Sequence, residues 1–157
     1  MDIVSLACLT AVVPFAFQST EGAELRHGVD LIGLGRWYAQ AERYEEAVRL
    51  FRRAVDLGLP DELLFKTMWE TGRLEKKLDR HEAAVALYTE LAAAKNPYRA
   101  PAFEELAKHY ERRERNYSMA LEMTRSALAL DDSEPMRRRE RRLKSKLESR
   151  SLSPRIS

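Results

Sequence analysis

Residues 34–54 carry the sequence LGRWYAQAERYEEAVRLFRRA, and this stretch decides the fold. Its apolar spacing predicts two amphipathic helices joined by a tight turn near Glu42. Gly35 lies inside the first helical segment, where glycine costs about 1 kcal/mol relative to alanine. Such a glycine often marks the close approach of a neighbouring helix. Ala47 and Phe51 follow 12 and 16 positions later. We therefore expect a helical hairpin in which small residues let the helices approach and an aromatic ring fills the space between them.

The same arrangement recurs twice further along the chain. The alanines that open the second helix of each hairpin stand at positions 47, 84 and 120. The third copy has one extra residue in its turn. One hairpin cannot bury its apolar face alone, whereas stacked copies bury a continuous core. The positions predicted to pack in the three copies are Gly35, Ala47, Phe51 and Ala54, then Gly72, Ala84, Tyr88 and Leu91, then Ala107, Ala120, Thr124 and Ala127.

These residues resemble the tetratricopeptide repeat, a helix–turn–helix unit with a period of about 34 residues. The resemblance covers roughly residues 28–131. It departs where Leu31, Met68 and Phe103 replace the usual tryptophan and where Thr124 replaces an aromatic residue, and the copies carry two or three extra residues in loops. The resemblance implies an all-α fold, a right-handed α-superhelix of about three helical hairpins. An ordinary helical bundle with chance self-similarity is the alternative.

The length of 157 residues fits one domain with five segments. Residues 1–17 are expected to form an apolar N-terminal helix, 18–27 a linker and the start of the first helix, and 28–131 the three repeats. Residues 132–150 are expected to form a basic capping helix, followed by a disordered tail at 151–157. Repeat arrays need terminal elements with a polar outer face, and this is the role expected of the capping helix.

The composition gives no sign of catalysis. Cys8 is the single cysteine, so no intramolecular disulfide can form, and a reducing, cytoplasmic setting is expected. The three histidines are scattered without metal-ligand spacing. The sequence has neither a Gly-rich phosphate loop nor a nucleophile–base pattern. We therefore predict that this chain is not an enzyme and takes no cofactor, metal or small-molecule substrate.

The N-terminal segment is strongly apolar. Residues 2–13 read DIVSLACLTAVV, and no Lys or Arg precedes this run, which argues against a secretory signal. The run to Phe17 is too short to span a membrane and is broken by Pro14, so no membrane association is expected. The segment is predicted to be a buried helix that packs either on the first repeat or on something outside this sequence.

Residues 2–9 also resemble the closing helix of RNase H-like, DEDD-type 3′–5′ exonuclease domains. A bacterial group of these proteins carries C-terminal tetratricopeptide repeats, with stretches similar to residues 30–35 and 104–113. The resemblance implies that Asp2 corresponds to the last metal-binding carboxylate of such a parent protein. The other carboxylates that a two-metal site needs are missing, so no nuclease activity is expected from this chain alone. A plain hydrophobic lead-in helix is the alternative.

In stacked tetratricopeptide hairpins the first helix of each hairpin lines a concave face. The resemblance places six candidate binding residues there: Arg36, Trp69, Arg73, Lys77, Lys108 and Arg112. A row of cations on such a surface favours a protein partner that offers an acidic segment or peptide. A solvated helix face that binds nothing is the alternative.

A second candidate surface lies near the C-terminus, where residues 133–157 hold nine Lys or Arg and three Glu. Such clusters neutralise phosphates and give salt-dependent affinity for nucleic acid. No aromatic residues are interleaved for base stacking, and the glutamates permit pairs within the helix. The candidates are Arg137, Arg138, Arg139, Arg141, Arg142 and Lys144. A protein-interaction scaffold is the preferred function, with a nucleic-acid-binding accessory module as the alternative.

Overall fold

A computed structural model describes residues 20–153 of the protein. This range contains seven helices and no strand, which confirms the all-α prediction. The apolar helix predicted at residues 1–17 lies outside the described residues. The helices are α1 (Thr20–Gln40), α2 (Tyr44–Asp56), α3 (Asp61–Lys77), α4 (His81–Ala93), α5 (Arg99–Arg112), α6 (Tyr117–Leu130) and α7 (Glu134–Leu152).

Each helix packs mainly on the helices next to it in the chain. The pairs α1–α2, α3–α4 and α5–α6 form three antiparallel hairpins, and α7 packs on α6 at the C-terminal end. Contacts of α2 with α3 and of α4 with α5 join one hairpin to the next. The result is a helical-repeat superhelix, in which every unit depends on its immediate neighbours.

The three hairpin turns share one backbone feature. Each contains a residue in the left-handed region, five positions before the alanine that opens the second helix: Glu42 (φ 59°), Asp79 (φ 60°) and Arg115 (φ 52°). In the first turn the N–H of Arg43 donates to the carbonyl of Tyr38 at 2.9 Å, and in the second the N–H of Arg80 donates to the carbonyl of Glu75 at 2.8 Å. A left-handed residue with this hydrogen bond closes a helix and reverses the chain.

The third turn accommodates its extra residue without losing this geometry. The N–H of Asn116 donates to the carbonyl of Tyr110 at 2.9 Å, which spans one residue more than in the other turns. The side chain of Asn116 then caps α6 by accepting a hydrogen bond from the N–H of Met119 at 3.1 Å. The insertion therefore stays in the turn.

The core of the described residues contains three apolar clusters, two that bridge neighbouring hairpins and one that joins the last hairpin to α7. Phe51 of the first hairpin shares a cluster with Leu74 of α3. Tyr88 of the second hairpin shares a cluster with Leu106 of α5. The third cluster joins α6 to Leu143 of α7, which is fully buried. Because each cluster takes residues from two units, removing one unit exposes the apolar face of the next.

Two helix ends differ from the expected boundaries. The helix α1 begins at Thr20, inside the segment expected to be mainly linker, because residues 21–27 are mostly good helix formers without proline. The helix α7 continues to Leu152, two residues into the expected tail. The hydroxyl of Ser151 donates to the carbonyl of Glu148 at 2.7 Å, which satisfies one of the free carbonyls at this helix end.

None of the described helices is long and apolar enough to cross a membrane.

Candidate functional site

The interior of each hairpin fixes the orientation of its first helix. Gly35 is buried, and a Cβ atom built on it would lie 2.5 Å from Cε1 of Phe51. A Cβ atom on Gly72 would lie 2.8 Å from Cε1 of Tyr88. Each glycine thus faces an aromatic ring of the second helix. That ring lies one helical turn after Ala47 in the first hairpin and after the equivalent Ala84 in the second. This close packing fixes the rotation of α1 and α3 about their own axes. It therefore also fixes which side of each helix faces solvent.

The third hairpin meets the same requirement with different residues. Thr124 stands where Phe51 and Tyr88 stand in the other copies, and Ala107 stands in place of the glycine. Both Ala107 and Thr124 are fully buried. A smaller residue on the second helix leaves room for a methyl group on the first. The remaining predicted packing residues are also buried: Ala47, Ala54, Ala84, Ala120 and Ala127.

The first helices together form a surface that we call the first-helix face, defined by Arg36, Arg73, Lys77, Lys108 and Arg112. A cleft of about 330 Å³ lies between α1 and α3, and Arg36, Arg73 and Lys77 line it. A second cleft of about 300 Å³ lies between α3 and α5, and Arg73 and Lys77 line this one too. Lys108 and Arg112 line a third cleft of about 160 Å³. The cations of α3 therefore lie between two adjacent clefts.

Two of the predicted cations already have carboxylate partners. Nε and Nη2 of Arg36 each donate to one carboxylate oxygen of Glu70, both at 3.0 Å, which links α1 to α3. Nζ of Lys108 lies 2.8 Å from a carboxylate oxygen of both Glu104 and Glu105 on its own helix. These pairs occupy the charges of Arg36 and Lys108 within the molecule.

Glu105 also accepts a hydrogen bond from Lys76, which links α3 to α5. Lys76 was missed by the sequence analysis, although it stands three residues after Arg73 and so lies close to it on the surface of α3. Burial tends to raise the pKa of Glu105, but hydrogen bonds from Lys108 and Lys76 outweigh burial and hold the pKa below its usual value. The Glu105 carboxylate is therefore ionised at neutral pH and holds both lysines.

Three predicted cations have no carboxylate partner among the described residues. The side chains of Arg73 and Arg112 make no hydrogen bond or ion pair within residues 22–153, and both are exposed. The ammonium group of Lys77 contacts Tyr44, with Nζ 3.2 Å from the phenol oxygen and 4.6 Å from the ring centroid. The charges of Arg73, Lys77 and Arg112 are thus available to a ligand.

Trp69 plays a different part from these cations. Its ring stacks on that of Tyr98 with the centroids 5.7 Å apart and an angle of 21° between the planes. It also packs against Tyr88 at 5.4 Å. Trp69 is partly buried between these rings, and its remaining surface lines the cleft between α3 and α5. It offers a rigid apolar wall beside Arg73.

The basic helix α7 differs from the expectation of a free cationic surface. Arg139 is buried, and its Nε donates to a carboxylate oxygen of Glu111 at 3.1 Å. The side chain thus neutralises a carboxylate that is itself buried, and the contact of Arg139 with nucleic acid stays a prediction that this pairing does not favour. Arg142 donates to the same carboxylate at 2.8 Å, and Lys146 lies 3.5 Å from it.

The other nucleic-acid candidates also have partners within the molecule. Arg137 pairs with Asp132, Arg138 and Arg141 pair with Glu134, and Lys144 pairs with Glu140. These side chains stay exposed, but each would have to leave or share a carboxylate to bind a phosphate. Glu111, the residue that holds α7, was missed by the sequence analysis. A glutamate four residues after buried Ala107 and followed by a basic helix was the available signal.

The described residues contain no cluster of three or more His, Cys, Asp or Glu side chains arranged to hold a metal ion. Asp2, the candidate for the last carboxylate of a parent nuclease, lies outside the part of the chain that the structure describes.

Comparison with known proteins supports a helical-repeat fold. A 25% identical relative is an uncharacterized protein, YprB, of Bacillus subtilis (strain 168), matched over 130 residues. The match includes 82% of this chain and 31% of that protein, so the chain spans about a third of the length of this curated relative. The family described as Tetratricopeptide repeat matches residues 31–63, which run from the middle of α1 to the start of α3. The chain thus contains a tetratricopeptide repeat at residues 31–63, within a fold that is all-helical over residues 20–153.

Proposed function

We propose that this chain is a non-catalytic protein-interaction module that binds an acidic segment of a partner protein on its first-helix face. One observation carries the proposal. Arg73 and Lys77 line two clefts of that face, the one between α1 and α3 and the one between α3 and α5, and neither residue has a carboxylate partner among the described residues. Tetratricopeptide repeats commonly bind proteins, which supports an interaction role without identifying the partner.

The same surface contains an internal example of the proposed contact. Arg36 binds Glu70 through two parallel hydrogen bonds of 3.0 Å. A guanidinium group and a carboxylate form this arrangement readily, and it is both stronger and more directional than a single neutral hydrogen bond. Arg73 occupies the position in α3 that Arg36 occupies in α1. A partner carboxylate at Arg73 would repeat the contact that Glu70 makes at Arg36.

The proposal is tested by charge reversal, with a fluorescein-labelled peptide of alternating Glu and Leu as the probe. We expect Arg73→Glu combined with Arg112→Glu to weaken binding at least tenfold, about 1.4 kcal/mol. The matched control is Arg26→Glu combined with Arg53→Glu, two exposed arginines of α1 and α2 that have no ion pair among the described residues. Fluorescence anisotropy gives the dissociation constants. Equal weakening by both double variants would contradict a specific groove, since they change the net charge equally.

The nucleic-acid alternative is an outcome of the same assay with a labelled single-stranded oligonucleotide. The triple variant Arg138→Glu, Arg141→Glu and Lys144→Glu removes exposed charge from α7. Oligonucleotide binding that is tighter than peptide binding, falls steeply with salt and is lost in this variant would favour the accessory module. We expect weak oligonucleotide binding, because Arg138, Arg141 and Lys144 are already paired with carboxylates.

We also propose that the chain is the C-terminal part of an RNase H-like exonuclease-type protein. The support is the resemblance of residues 2–9, 30–35 and 104–113 to such proteins, of which residues 2–9 lie outside the described residues. The test is the coding sequence upstream of Met1. An in-frame extension that encodes an Asp-x-Glu strand would support the proposal, and a stop codon directly upstream would overturn it.

A further inference from the structure

One glutamate position of the repeat is paired differently at the two interfaces between first helices. Glu70 stands two residues before Gly72 in α3. Glu105 stands two residues before Ala107 in α5, where alanine replaces that glycine. The two glutamates are therefore equivalent. At the first interface Glu70 accepts two hydrogen bonds from Arg36 of the preceding first helix, both at 3.0 Å.

The second interface does not repeat this contact. The equivalent of Arg36 in α3 is Arg73, so a repeat of the contact would pair Arg73 with Glu105. Instead Glu105 pairs with Lys76 of α3 and, at 2.8 Å, with Lys108 of its own helix. The side chain of Arg73 is left without a carboxylate partner among the described residues. Arg73 is thus unpaired because the carboxylate that would match it is held elsewhere.

A single position on the preceding helix distinguishes the two interfaces. Lys76 stands four residues after Gly72, and the equivalent residue four positions after Gly35 is Ala39. Ala39 lines the cleft between α1 and α3, as Glu70 does. Alanine offers no charge there, so the cation that α1 presents to Glu70 is its arginine. In α3 the lysine offers the equivalent glutamate a second partner.

The carboxylate of Glu105 and the guanidinium of Arg73 share one cleft. Both residues line the cleft of about 300 Å³ between α3 and α5, together with Tyr88. Burial raises the pKa of Tyr88, the charge of Glu105 raises it further, and the charge of Arg73 opposes the rise, so both charged groups lie near this phenol. The Tyr88 hydroxyl has no hydrogen-bond partner among the described residues, so it does not hold Glu105 in place. The two lysines do.

We infer that Lys76 is a positioning residue that keeps the acidic-ligand site open by holding Glu105 away from Arg73. Because it concerns the same site, this inference rests on the proposed function. A guanidinium group pairs with a carboxylate through two parallel hydrogen bonds, so a ligand and Glu105 would compete for the same donors of Arg73. A carboxylate of the same chain competes at a high effective concentration. The ion pair with Lys76 removes that competitor.

The experiment measures binding of the labelled Glu-Leu peptide to full-length variants by fluorescence anisotropy. Lys76→Ala copies the residue that α1 carries at this position. Glu105 should then turn to Arg73, and binding should weaken about threefold, the scale of a partly exposed ion pair. Lys66→Ala is the matched control, since Lys66 is exposed on the same helix and has no ion pair among the described residues. It removes the same charge and should bind as the wild type does.

Two double variants separate positioning from a simple loss of charge, and circular dichroism verifies that each is folded. Lys76→Ala combined with Glu105→Gln removes the competitor and should restore at least the wild-type affinity. Lys76→Ala combined with Glu104→Gln has the same net charge and removes the other carboxylate partner of Lys108, yet its binding should stay weak. Equal affinities of the two double variants, or equal affinities of Lys76→Ala and Lys66→Ala, would overturn the inference.

The variant that combines Arg73→Glu with Arg112→Glu distinguishes a failure here from a failure of the proposed function. If it binds the peptide as tightly as the wild type, the proposed function is wrong and the positioning role of Lys76 falls with it. If it binds weakly while Lys76→Ala matches Lys66→Ala, the acidic-ligand site stands and only the role of Lys76 is overturned.

Discussion

Gly35 fixes the distance between two helices because it has no side chain. The Cβ atom of any other residue would lie 2.5 Å from the ring of Phe51, far inside van der Waals contact. The third hairpin, with Ala107 and Thr124 at these positions, shows the complementary solution. In every copy a small residue on one helix is thus matched by the size of the residue on the other. Glycine on the first helix goes with an aromatic ring on the second, and alanine goes with threonine.

We expect Gly35→Ala to lower the free energy of unfolding by about 1–3 kcal/mol, because the ring of Phe51 must shift within a packed core. Adding Phe51→Thr, which copies the third hairpin, should cost less than the sum of the two single changes. Urea unfolding followed by circular dichroism measures these differences. Gly33→Ala is the control in the same helix, since nothing lies within 4 Å of a Cβ atom there. It should raise the stability by about 0.5–1 kcal/mol through helix propensity.

The hydroxyl of Tyr88 is buried and has no hydrogen-bond partner among the described residues. Burial raises the pKa of Tyr88, so the phenol stays neutral. Phe51 fills the equivalent place in the first hairpin without a hydroxyl. We therefore expect Tyr88→Phe to keep or raise the free energy of unfolding, by up to about 1 kcal/mol, since an unsatisfied polar group is removed. A loss of more than about 1 kcal/mol in urea unfolding would mean that the hydroxyl has a partner.

Helix α7 is attached to the array by apolar contacts of Leu143 and by one buried carboxylate. Glu111 is almost fully buried and faces Arg139, Arg142 and Lys146. Burial alone would raise the pKa of Glu111, but hydrogen bonds and charge from Arg142 and Arg139 outweigh burial and lower it. The capping helix is therefore held by an ion pair that exists only while Glu111 is ionised.

A pKa that is lower in the folded state stabilises the fold above the unfolded pKa of about 4.3 and stops doing so as the pH falls through the folded value. We expect Glu111→Gln to lower the free energy of unfolding at neutral pH by about 3 kcal/mol, because Arg139 remains buried without its counter-charge. The variant should also lose stability less steeply than the wild type between about pH 5 and 3.

Thermal or urea unfolding at a series of pH values measures both effects of Glu111→Gln. Glu82→Gln is the control, since Glu82 is exposed on α4 and has no ion pair among the described residues. It should leave the stability at neutral pH within about 0.5 kcal/mol of the wild type. Parallel pH curves for Glu111→Gln and the wild type would show that Glu111 does not hold α7.

Across the whole molecule, spacing in the sequence predicted the hairpins but could not predict how charges pair. Gly35 and Ala47 lie within one repeat, so their relation is visible in a short stretch of sequence. The partner of Arg36 is Glu70, on the next hairpin, and the partner of Arg139 is Glu111, on a helix of another unit. Such pairs depend on how the units stack, which side-chain spacing does not specify. For this reason the sequence assigned Arg36 and Arg73 the same role, whereas the structure distinguishes them.

The stacking of the hairpins gives the array its two adjacent clefts and places Arg73 and Lys77 between them. Arg112 extends this row of unpaired cations onto α5, while the six nucleic-acid candidates of α7 all pair with carboxylates. On the first-helix face the unpaired cations thus lie on α3 and α5, whereas the six candidates of α7 are paired within the described residues. A carboxylate-bearing ligand should therefore bind at α3 and α5.

A titration of ¹⁵N-labelled protein with the Glu-Leu peptide, followed by the backbone amide shifts, tests this most directly. We expect the largest shifts in α3 and α5 around Arg73, Lys77 and Arg112, with little change in α7, and the loss of these shifts in Arg73→Glu combined with Arg112→Glu. Shifts confined to α7, or equal shifts in the double variant, would contradict an acidic-ligand site on the first-helix face.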